Sequence, residues 1–217
     1  MNTITQDEFK FICNNGESIG KKSGYPAVVI HPDKTITKIW VRKKLFSSAT
    51  IYPYSSRFVR NARELHRRKV EVPEIINHAR VENSNVRIVR YRALEGFSIR
   101  DLLRENPRKV SIHAVAEYFY ELHEKGIFFR SIHLGNIVQL QGSDSYGLID
   151  FTDVKFYPGP LSLRRRAINL ATPLRYNDDL KILKEAEQAG LVESYSAIAN
   201  LYDSNLKCFK ERVKSRD

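Results

Sequence analysis

The side chains best suited to chemistry lie in one stretch near the middle of the chain. An apolar run at 126–129 leads to Ser131 and His133, and Asn136 follows. Asp150 comes fourteen positions after Asn136, at the end of a second apolar run. Amide and carboxylate oxygens can bind Mg²⁺ on a phosphate-bearing substrate. This pair of oxygens therefore indicates metal-assisted phosphate chemistry.

The spacing matches a two-part motif of phosphoryl-transfer enzymes. In kinases, an H-R-D-x-x-x-x-N loop and a later D-F-G segment bring an asparagine and an aspartate to Mg²⁺ on ATP. Here Phe129-Arg130-Ser131 stands at H-R-D, Asn136 at the asparagine, and Asp150-Phe151-Thr152 at D-F-G. The two halves are in register, which favours a kinase-like fold.

These segments resemble those of a particular bacterial group. The chain is similar to the toluene tolerance proteins and lipopolysaccharide kinases, which are protein-kinase-like. The similarity lies in the sequence Phe-Phe-Arg-Ser-x-His-Leu-Gly-Asn, the later Leu-Ile-Asp and the stretch 160–170. The likeness runs from Gly16 to Tyr176, and from Asn177 onward we find none.

The resemblance implies a fold and a set of binding residues. We expect an α+β, protein-kinase-like two-lobed fold in a single domain, with a small β-rich N-lobe (about 1–90) and a mainly helical C-lobe (about 91–217). Lys38 would hold the α- and β-phosphates of ATP, and Asn136 and Asp150 would bind Mg²⁺. A weaker match, a phosphate-covering loop whose spacing is not G-x-G-x-x-G, involves Gly16, Gly20 and Gly24.

The catalytic position departs from the kinase pattern. Ser131 replaces the aspartate that accepts the proton of the attacking hydroxyl, and a serine hydroxyl is too weakly basic to do so unaided. His133 is a candidate replacement base, or else a residue that supports the loop. Asp153 is a second candidate, or else a surface carboxylate.

The glutamate that kinases pair with the strand lysine also lacks a clear equivalent. A helix predicted over 55–68 buries Phe58, and at about 100° per residue Glu64 points away from that direction. Asn61 would occupy the pairing position without a charge.

The surrounding pattern predicts the elements that position these residues. Lys38 shares a face of a predicted strand with Ile36 and Trp40, and Pro73 separates the loop and strand of 70–76. Ser98 is the expected cap of a short helix that Pro107 stops. The other predicted elements are the hairpin strands 27–30 and 35–40 around the turn 31–34, the strand 86–91, and helices over 99–105, 111–124, 178–189 and 194–213.

The composition indicates an anionic partner. The net charge is +11, and the densest basic clusters are Arg42-Lys43-Lys44, Arg67-Arg68-Lys69 and Arg164-Arg165-Arg166. Each cluster is either a solvated face or an anion-binding patch. No nucleic-acid reader motif accompanies the charge, so we expect no nucleic acid but an anionic glycolipid or lipopolysaccharide core.

The chain has no apolar run near the roughly 20 residues of a membrane span, and we expect no signal peptide. Cys13 and Cys208 form no metal-ligand or redox spacing. We therefore expect a cytoplasmic protein, with peripheral contact at the inner membrane surface.

Together these observations predict an ATP- and Mg²⁺-dependent phosphotransferase acting on a lipopolysaccharide core sugar or related envelope glycolipid. The alternative is a pseudokinase, a nucleotide-binding or scaffolding module in envelope maintenance, because Ser131 replaces the base. Transfer of a nucleotidyl group is a third reading. The acceptor and the oligomeric state are open.

Overall fold

The chain folds into two compact units, Met1–Glu95 and Gly96–Asp217. The structure, a computed structural model, describes residues 1–42, 53–106, 108–185 and 190–215. Lys43, Lys44, Pro107 and the predicted helical residues 186–189 lie outside the described residues. The fold class is α+β, with a mixed six-stranded sheet and several helices.

Unit 1 is built on the six-stranded sheet. Its described elements are β1 (Asn2–Ile4), α1 (Gln6–Asn14), β2 (Glu17–Lys22), β3 (Tyr25–Ile30), β4 (Thr35–Val41), α2 (Tyr54–Arg67), β5 (Glu74–Val81) and β6 (Val86–Arg92). The strand order is β1-β5-β6-β4-β3-β2, and every neighbouring pair is antiparallel except β1 with β5. The strand β4, which carries Lys38, is therefore internal to the sheet.

The two faces of β4 pack against different partners because strand side chains alternate. On one face, Ile39 is buried in a cluster with Phe9 of α1 and Ile88 of β6. On the other face, the Trp40 ring packs against Phe58 of α2, with centroids 5.6 Å apart.

The hairpin turn before β4 is fixed by side-chain hydrogen bonds. Asp33 accepts from both the backbone N–H and the hydroxyl of Thr35, and it pairs with Arg90 at 2.7 Å. The predicted hairpin is confirmed, with strands of 25–30 and 35–41.

Unit 2 contains most of the helices. Its described elements are β7 (Gly96–Ser98), α3 (Ile99–Glu105), α4 (Ile112–Glu124), β8 (Ile127–Phe129), β9 (Ile137–Leu140), β10 (Tyr146–Leu148), β11 (Val154–Phe156), α5 (Leu163–Leu170), α6 (Asn177–Glu185), α7 (Leu191–Ile198) and α8 (Asp203–Lys214). Three short 3₁₀ turns span Leu134–Asn136, Phe151–Asp153 and Pro173–Arg175. The small sheets are β10-β9-β7 and β11-β8.

The central helices of unit 2 follow their sequence signals closely. Ser98 caps α3 by accepting from the Asp101 N–H, and Ser111 caps α4 by accepting from the Ala114 N–H. The predicted inward stripe of α4 is buried throughout: Ile112, Val115, Phe119 and Leu122.

Other predictions need correction. The strand expected to end near Ile76 continues as β5 to Val81, because its later residues pair with both β1 and β6. No helix is predicted over residues 6–14, where the structure has α1 with a capping box of Thr5 and Glu8 at its start. The last two predicted helices are observed as α6, α7 and α8, so the second is two helices separated after Ile198.

Candidate functional site

Asn136 and Asp150 are brought to the same end of a hairpin in unit 2. The strands β9 and β10 are antiparallel, with Ile137 opposite Leu148. One step further along, the Ile149 N–H donates to the Asn136 carbonyl at 3.0 Å. Asp150 follows at once, so the fourteen-residue separation is closed by strand pairing.

The amide of Asn136 has a defined orientation. Its Nδ2 donates to the backbone carbonyl of Ser131 at 3.2 Å. The side chain is 8% exposed, and Oδ1 accepts no hydrogen bond from the described part of the chain. An amide with its nitrogen already engaged offers its oxygen, the atom that a hard cation prefers.

Asp150 has a left-handed backbone conformation at the start of a 3₁₀ turn. Its φ and ψ are 52° and 38°, which aspartate tolerates better than most side chains. The neighbouring Leu148 and Phe151 are fully buried, whereas Asp150 itself is exposed. The core residues on either side therefore fix the backbone while the carboxylate remains on the surface.

His133 lies in the loop that connects β8 to β9. Its Nδ1 is buried without a hydrogen-bond partner among the described residues, and its ring packs edge-on against Tyr176 at 4.9 Å. Burial is the main cause that lowers the pKa of His133, Arg100 adds to it, and Asp179 and Asp150 oppose it. A lowered pKa favours the neutral imidazole, which can accept a proton.

Ser131 contributes its backbone to the same loop. Its backbone carbonyl accepts the hydrogen bond from Asn136. The Ser131 side chain is half-buried and takes no part in that bond. The orientation of Asn136 therefore depends on the backbone at position 131 and not on the serine hydroxyl.

A buried aspartate that sequence reasoning missed holds the middle of the loop. Asp179 of α6 is fully buried, and its Oδ2 accepts from the Leu134 N–H at 2.8 Å. Its Oδ1 accepts from Arg100 Nε at 2.6 Å. A Cβ at Gly135 would lie 3.0 Å from the Arg100 guanidinium, so a larger residue here would push against the arginine that pairs with Asp179.

Sequence signals do not distinguish Asp179 from its neighbour Asp178. Both lie in the first turn of a helix, where any carboxylate is favoured by the dipole. Asp178 is exposed and pairs with the exposed Arg104, whereas Asp179 is enclosed. Only the tertiary fold separates the two roles.

The start of the loop is held by a second missed residue. Asn169 of α5 is 2% exposed and donates from Nδ2 to the Phe129 carbonyl at 2.7 Å. The same carbonyl accepts from the Ile132 N–H at 3.1 Å. The turn that contains Ser131 is therefore closed on a fixed acceptor.

Asp153 is engaged with Arg130. The Asp153 carbonyl accepts from the Arg130 N–H at 3.3 Å, and the two side chains approach to 3.7 Å. This pairing gives Asp153 a local role beside the loop and makes it a weaker candidate for a proton acceptor than His133.

Lys38 lies on β4 in unit 1, opposite Val28 and Val89. Its ammonium is 5.6 Å from the Trp40 ring centroid and 5.8 Å from that of Phe58. These distances are within the range of cation–π attraction. As predicted, Lys38 shares a face with Trp40, and α2 covers that face.

The helix α2 has the predicted orientation. Asn61 is fully buried, whereas Glu64 turns to Arg67 and Arg68, each at 2.7 Å. Hydrogen bonds from these two arginines lower the pKa of Glu64 to about 2. Glu64 is therefore committed to a local ion-pair cluster on its own helix.

The three arginines of the cluster Arg164-Arg165-Arg166 differ in exposure and in their contacts. Arg166 has a side chain only 13% exposed, which donates to the Leu161 carbonyl and pairs with Glu124. Arg165 stacks over Tyr157 at 4.2 Å, and Arg164 is exposed. The arginine triplet predicted to be either solvated or anion-binding therefore contains one structural member.

Unit 1 also contains a groove of about 740 Å³ between α2 and β5. Its lining includes Val59, Arg63, Pro73 and His78, but not Lys38. The groove is therefore separate from the predicted phosphate-binding residue of this unit.

Comparisons with known proteins add no identification. The chain matches no protein-family model, and a search of the curated proteins returned no match. The family resemblance accordingly stays a prediction. Within the described ranges, no helix is long and apolar enough to span a lipid bilayer.

The described residues contain no cluster of three or more His, Cys, Asp or Glu side chains able to hold a metal ion. Mg²⁺ in nucleotide sites is commonly held by one or two protein oxygens together with substrate phosphates and water. The donor set of Asn136 and Asp150 fits that mode of binding and does not fit a cage made by protein alone.

Proposed function

We propose that this protein is a kinase-like phosphotransferase that uses ATP and Mg²⁺. The observation that carries the proposal is the pairing of an oriented amide, Asn136, with an exposed carboxylate, Asp150, at one end of the β9–β10 hairpin. The bound nucleotide would supply the phosphoryl group, and Mg²⁺ would neutralise its charge.

Each proposed residue has a separate role. Asn136 and Asp150 would hold the metal through oxygen atoms, and Lys38 would hold the α- and β-phosphates. The loop of unit 2 orients its amide before any ligand binds, which favours preorganised electrostatic stabilisation. Such positioning accounts for most of the catalysis in phosphoryl transfer.

The acceptor in this proposal is an envelope glycolipid, such as a lipopolysaccharide core sugar. The net charge of +11 and the exposed Arg164 and Arg165 support an anionic substrate. A cytoplasmic location with peripheral contact at the inner membrane belongs to the same proposal.

The test is whether Mg-ATP stabilises the purified full chain. At a nucleotide concentration of about 100 times Kd, binding contributes about 2.7 kcal/mol, which raises the thermal midpoint by about 5 °C or more. Asp150→Ala should abolish this gain. Asp144→Ala, in the turn of the same hairpin, removes another exposed carboxylate and should retain it.

Lys38 provides an independent check in unit 1. Lys38→Met keeps much of the apolar stem beside Trp40 but removes the amine, so Mg-ATP affinity should fall. Lys34→Met, in the exposed turn before β4, is the control. Unchanged melting of the wild-type chain with and without Mg-ATP would contradict the proposal.

The second candidate is a pseudokinase, and Ser131 is the observation that favours it. The hydrogen bond from Asn136 goes to the Ser131 backbone, so Ser131→Asp should restore a carboxylate without removing that bond. If phosphate transfer to core oligosaccharide appears only in Ser131→Asp, the natural chain is a pseudokinase. Transfer by the wild-type chain that requires Asp150 eliminates the scaffold-only alternative.

His133 is the candidate base within the leading proposal. Its lowered pKa favours the neutral ring, but its buried Nδ1 leaves only the Nε2 edge to meet a substrate. His133→Gln should reduce the transfer rate by about 10²-fold or more if the imidazole accepts the proton. Nucleotide affinity should be nearly unchanged.

A further inference from the structure

A chain of buried hydrogen bonds links α7 to the loop that carries Asn136. The Tyr195 hydroxyl lies 2.7 Å from His123 Nδ1, and His123 Nε2 lies 3.2 Å from Asn169 Oδ1. Asn169 Nδ2 then donates to the Phe129 carbonyl at 2.7 Å. The first three of these residues come from three different helices, α7, α4 and α5.

The direction of each bond follows from donor and acceptor chemistry. Phe129 offers a carbonyl, so the nitrogen of Asn169 must face it and the oxygen of Asn169 must face His123. His123 therefore carries its proton on Nε2. Its Nδ1 is then an acceptor, and the Tyr195 hydroxyl must donate to it.

The surroundings keep the two titratable groups neutral. Burial lowers the pKa of His123 to about 3, and burial raises the pKa of Tyr195. The guanidinium of Arg166 is close enough to Tyr195 to act on its hydroxyl, and it disfavours a second positive charge on His123. The single tautomer is therefore maintained across the neutral pH range.

The chain continues from Phe129 to the proposed metal ligand. The Phe129 carbonyl also accepts from the Ile132 N–H, which closes the turn around Ser131. The Ser131 carbonyl accepts from Asn136 Nδ2 and so turns Asn136 Oδ1 away from it. Hydrogen bonds therefore connect Tyr195 to Asn136, and the Ser131–Ile132 peptide group joins the last two of them.

We propose that Tyr195, His123 and Asn169 are positioning residues that set the orientation of Asn136 through the Phe129 carbonyl and the Ser131 turn. The effect on metal binding rests on the proposed function, whereas the effect on loop order does not. This proposal gives α7 a role at the loop in addition to completing the core of unit 2.

The first test measures loop order without any ligand. Tyr195→Phe removes only the donor hydroxyl and keeps the ring that stacks on Phe209 at 5.4 Å. We expect amide hydrogen exchange of residues 130–136 to become about 10-fold faster, with little change in the N-terminal half of α4. Tyr202→Phe, which removes an exposed hydroxyl from the same unit, is the matched control.

A second variant acts one link closer to the loop. Asn169→Leu removes both the acceptor for His123 and the donor to Phe129, so its effect on exchange should exceed that of Tyr195→Phe. If Asn169→Leu does not fold, Tyr195→Phe decides the matter alone. Equal exchange in Tyr195→Phe and Tyr202→Phe, or acceleration spread evenly over unit 2, overturns the positioning role.

The final measurement separates metal binding from nucleotide binding. In Tyr195→Phe, the Mg²⁺ concentration that half-saturates ATP binding should rise about 10-fold, as is typical when the support of a metal ligand is lost. ATP affinity without Mg²⁺ should be unchanged. If the wild-type chain binds no Mg-ATP, the proposed function fails, and the exchange data still decide whether Tyr195, His123 and Asn169 position the loop.

Discussion

Lys38 in unit 1 and Asn136 in unit 2 are held by different kinds of interaction. Lys38 extends from an internal strand, and its ammonium lies beside two packed aromatic rings, Trp40 and Phe58. Asn136 lies in a loop whose backbone is held by two buried hydrogen bonds: Asn169 donates to the Phe129 carbonyl, and Asp179 accepts from the Leu134 N–H. One position depends on the shape of a core, the other on individual donors and acceptors.

This difference predicts different tolerance to substitution. Apolar packing adapts to a change of shape at modest cost when volume is nearly kept. A buried polar group that loses its partner bears the full cost of desolvation. The loop of unit 2 should therefore be the more fragile of the two, and the following changes test that expectation.

The largest effect is expected for Asp179→Ala. The change leaves the Leu134 N–H without its acceptor and the partly buried Arg100 without its counter-charge. Removing one member of a buried ion pair typically costs about 3–5 kcal/mol. Urea denaturation of the full chain should show a loss of this size in the free energy of unfolding.

Asp178→Ala is a matched control one residue away. Its ion pair with Arg104 is exposed on both sides, so a loss below about 1 kcal/mol is expected. Similar losses for the two variants would show that burial does not separate them and would remove the basis of the comparison.

The next effect is the loss of folding stability at acidic pH. The pKa of His123 is lowered to about 3, so between pH 6.5 and 3 the unfolded chain binds a proton there that the folded chain does not. Stability must therefore fall as pH falls through this window, by about 1.4 kcal/mol per pH unit from this group. Between pH 7.5 and 5.0 the contribution is about 2 kcal/mol.

The variant His123→Gln keeps hydrogen-bonding groups but cannot titrate. Its free energy of unfolding should decline less between pH 7.5 and 5.0 than that of the wild-type chain. His113→Gln, at an exposed position of the same helix, should decline as the wild type does. An identical decline in all three would assign the acid sensitivity to other groups.

Much of the fold could be predicted from the sequence, because local sequence signals agree with the observed burial. Ser98 and Ser111 are helix caps by type and position, and the stripe of α4 is buried at the predicted residues. The orientation of α2 also followed from helical periodicity, which separated Asn61 from Glu64. The capping box of Thr5 and Glu8 is a local signal of the same kind for the start of α1.

The residues that hold the loop of the candidate site could not be predicted from the sequence in this way. Asp179 and Asn169 act through contacts with Leu134 and Phe129, which lie about 40 or more positions away along the chain. Their residue types suit a helix start or a solvated face equally well. Pairing across such distances depends on tertiary structure, for which periodicity carries no signal.

A smaller effect is expected from the packing around Lys38. Phe58→Leu removes one ring beside the ammonium but retains an apolar side chain, so the cost should be about 1–2 kcal/mol. This is less than the loss expected for Asp179→Ala. A loss above that of Asp179→Ala, measured by the same urea denaturation, would reverse the ranking of the two regions.

The smallest effect is expected for Glu64→Ala. Glu64 pairs with Arg67 and Arg68 on its own helix, and such pairs contribute about 0.2–0.5 kcal/mol each. The part of the loss that comes from the pair with Arg67 should shrink as salt is raised, because the Arg67 side chain is exposed. Since Glu64 turns away from the face of Phe58, Mg-ATP affinity should be unchanged, as nucleotide titration can measure. A tenfold loss of affinity would instead make Glu64 the partner of Lys38, and the contrast between a packed lysine and a hydrogen-bonded loop would no longer hold.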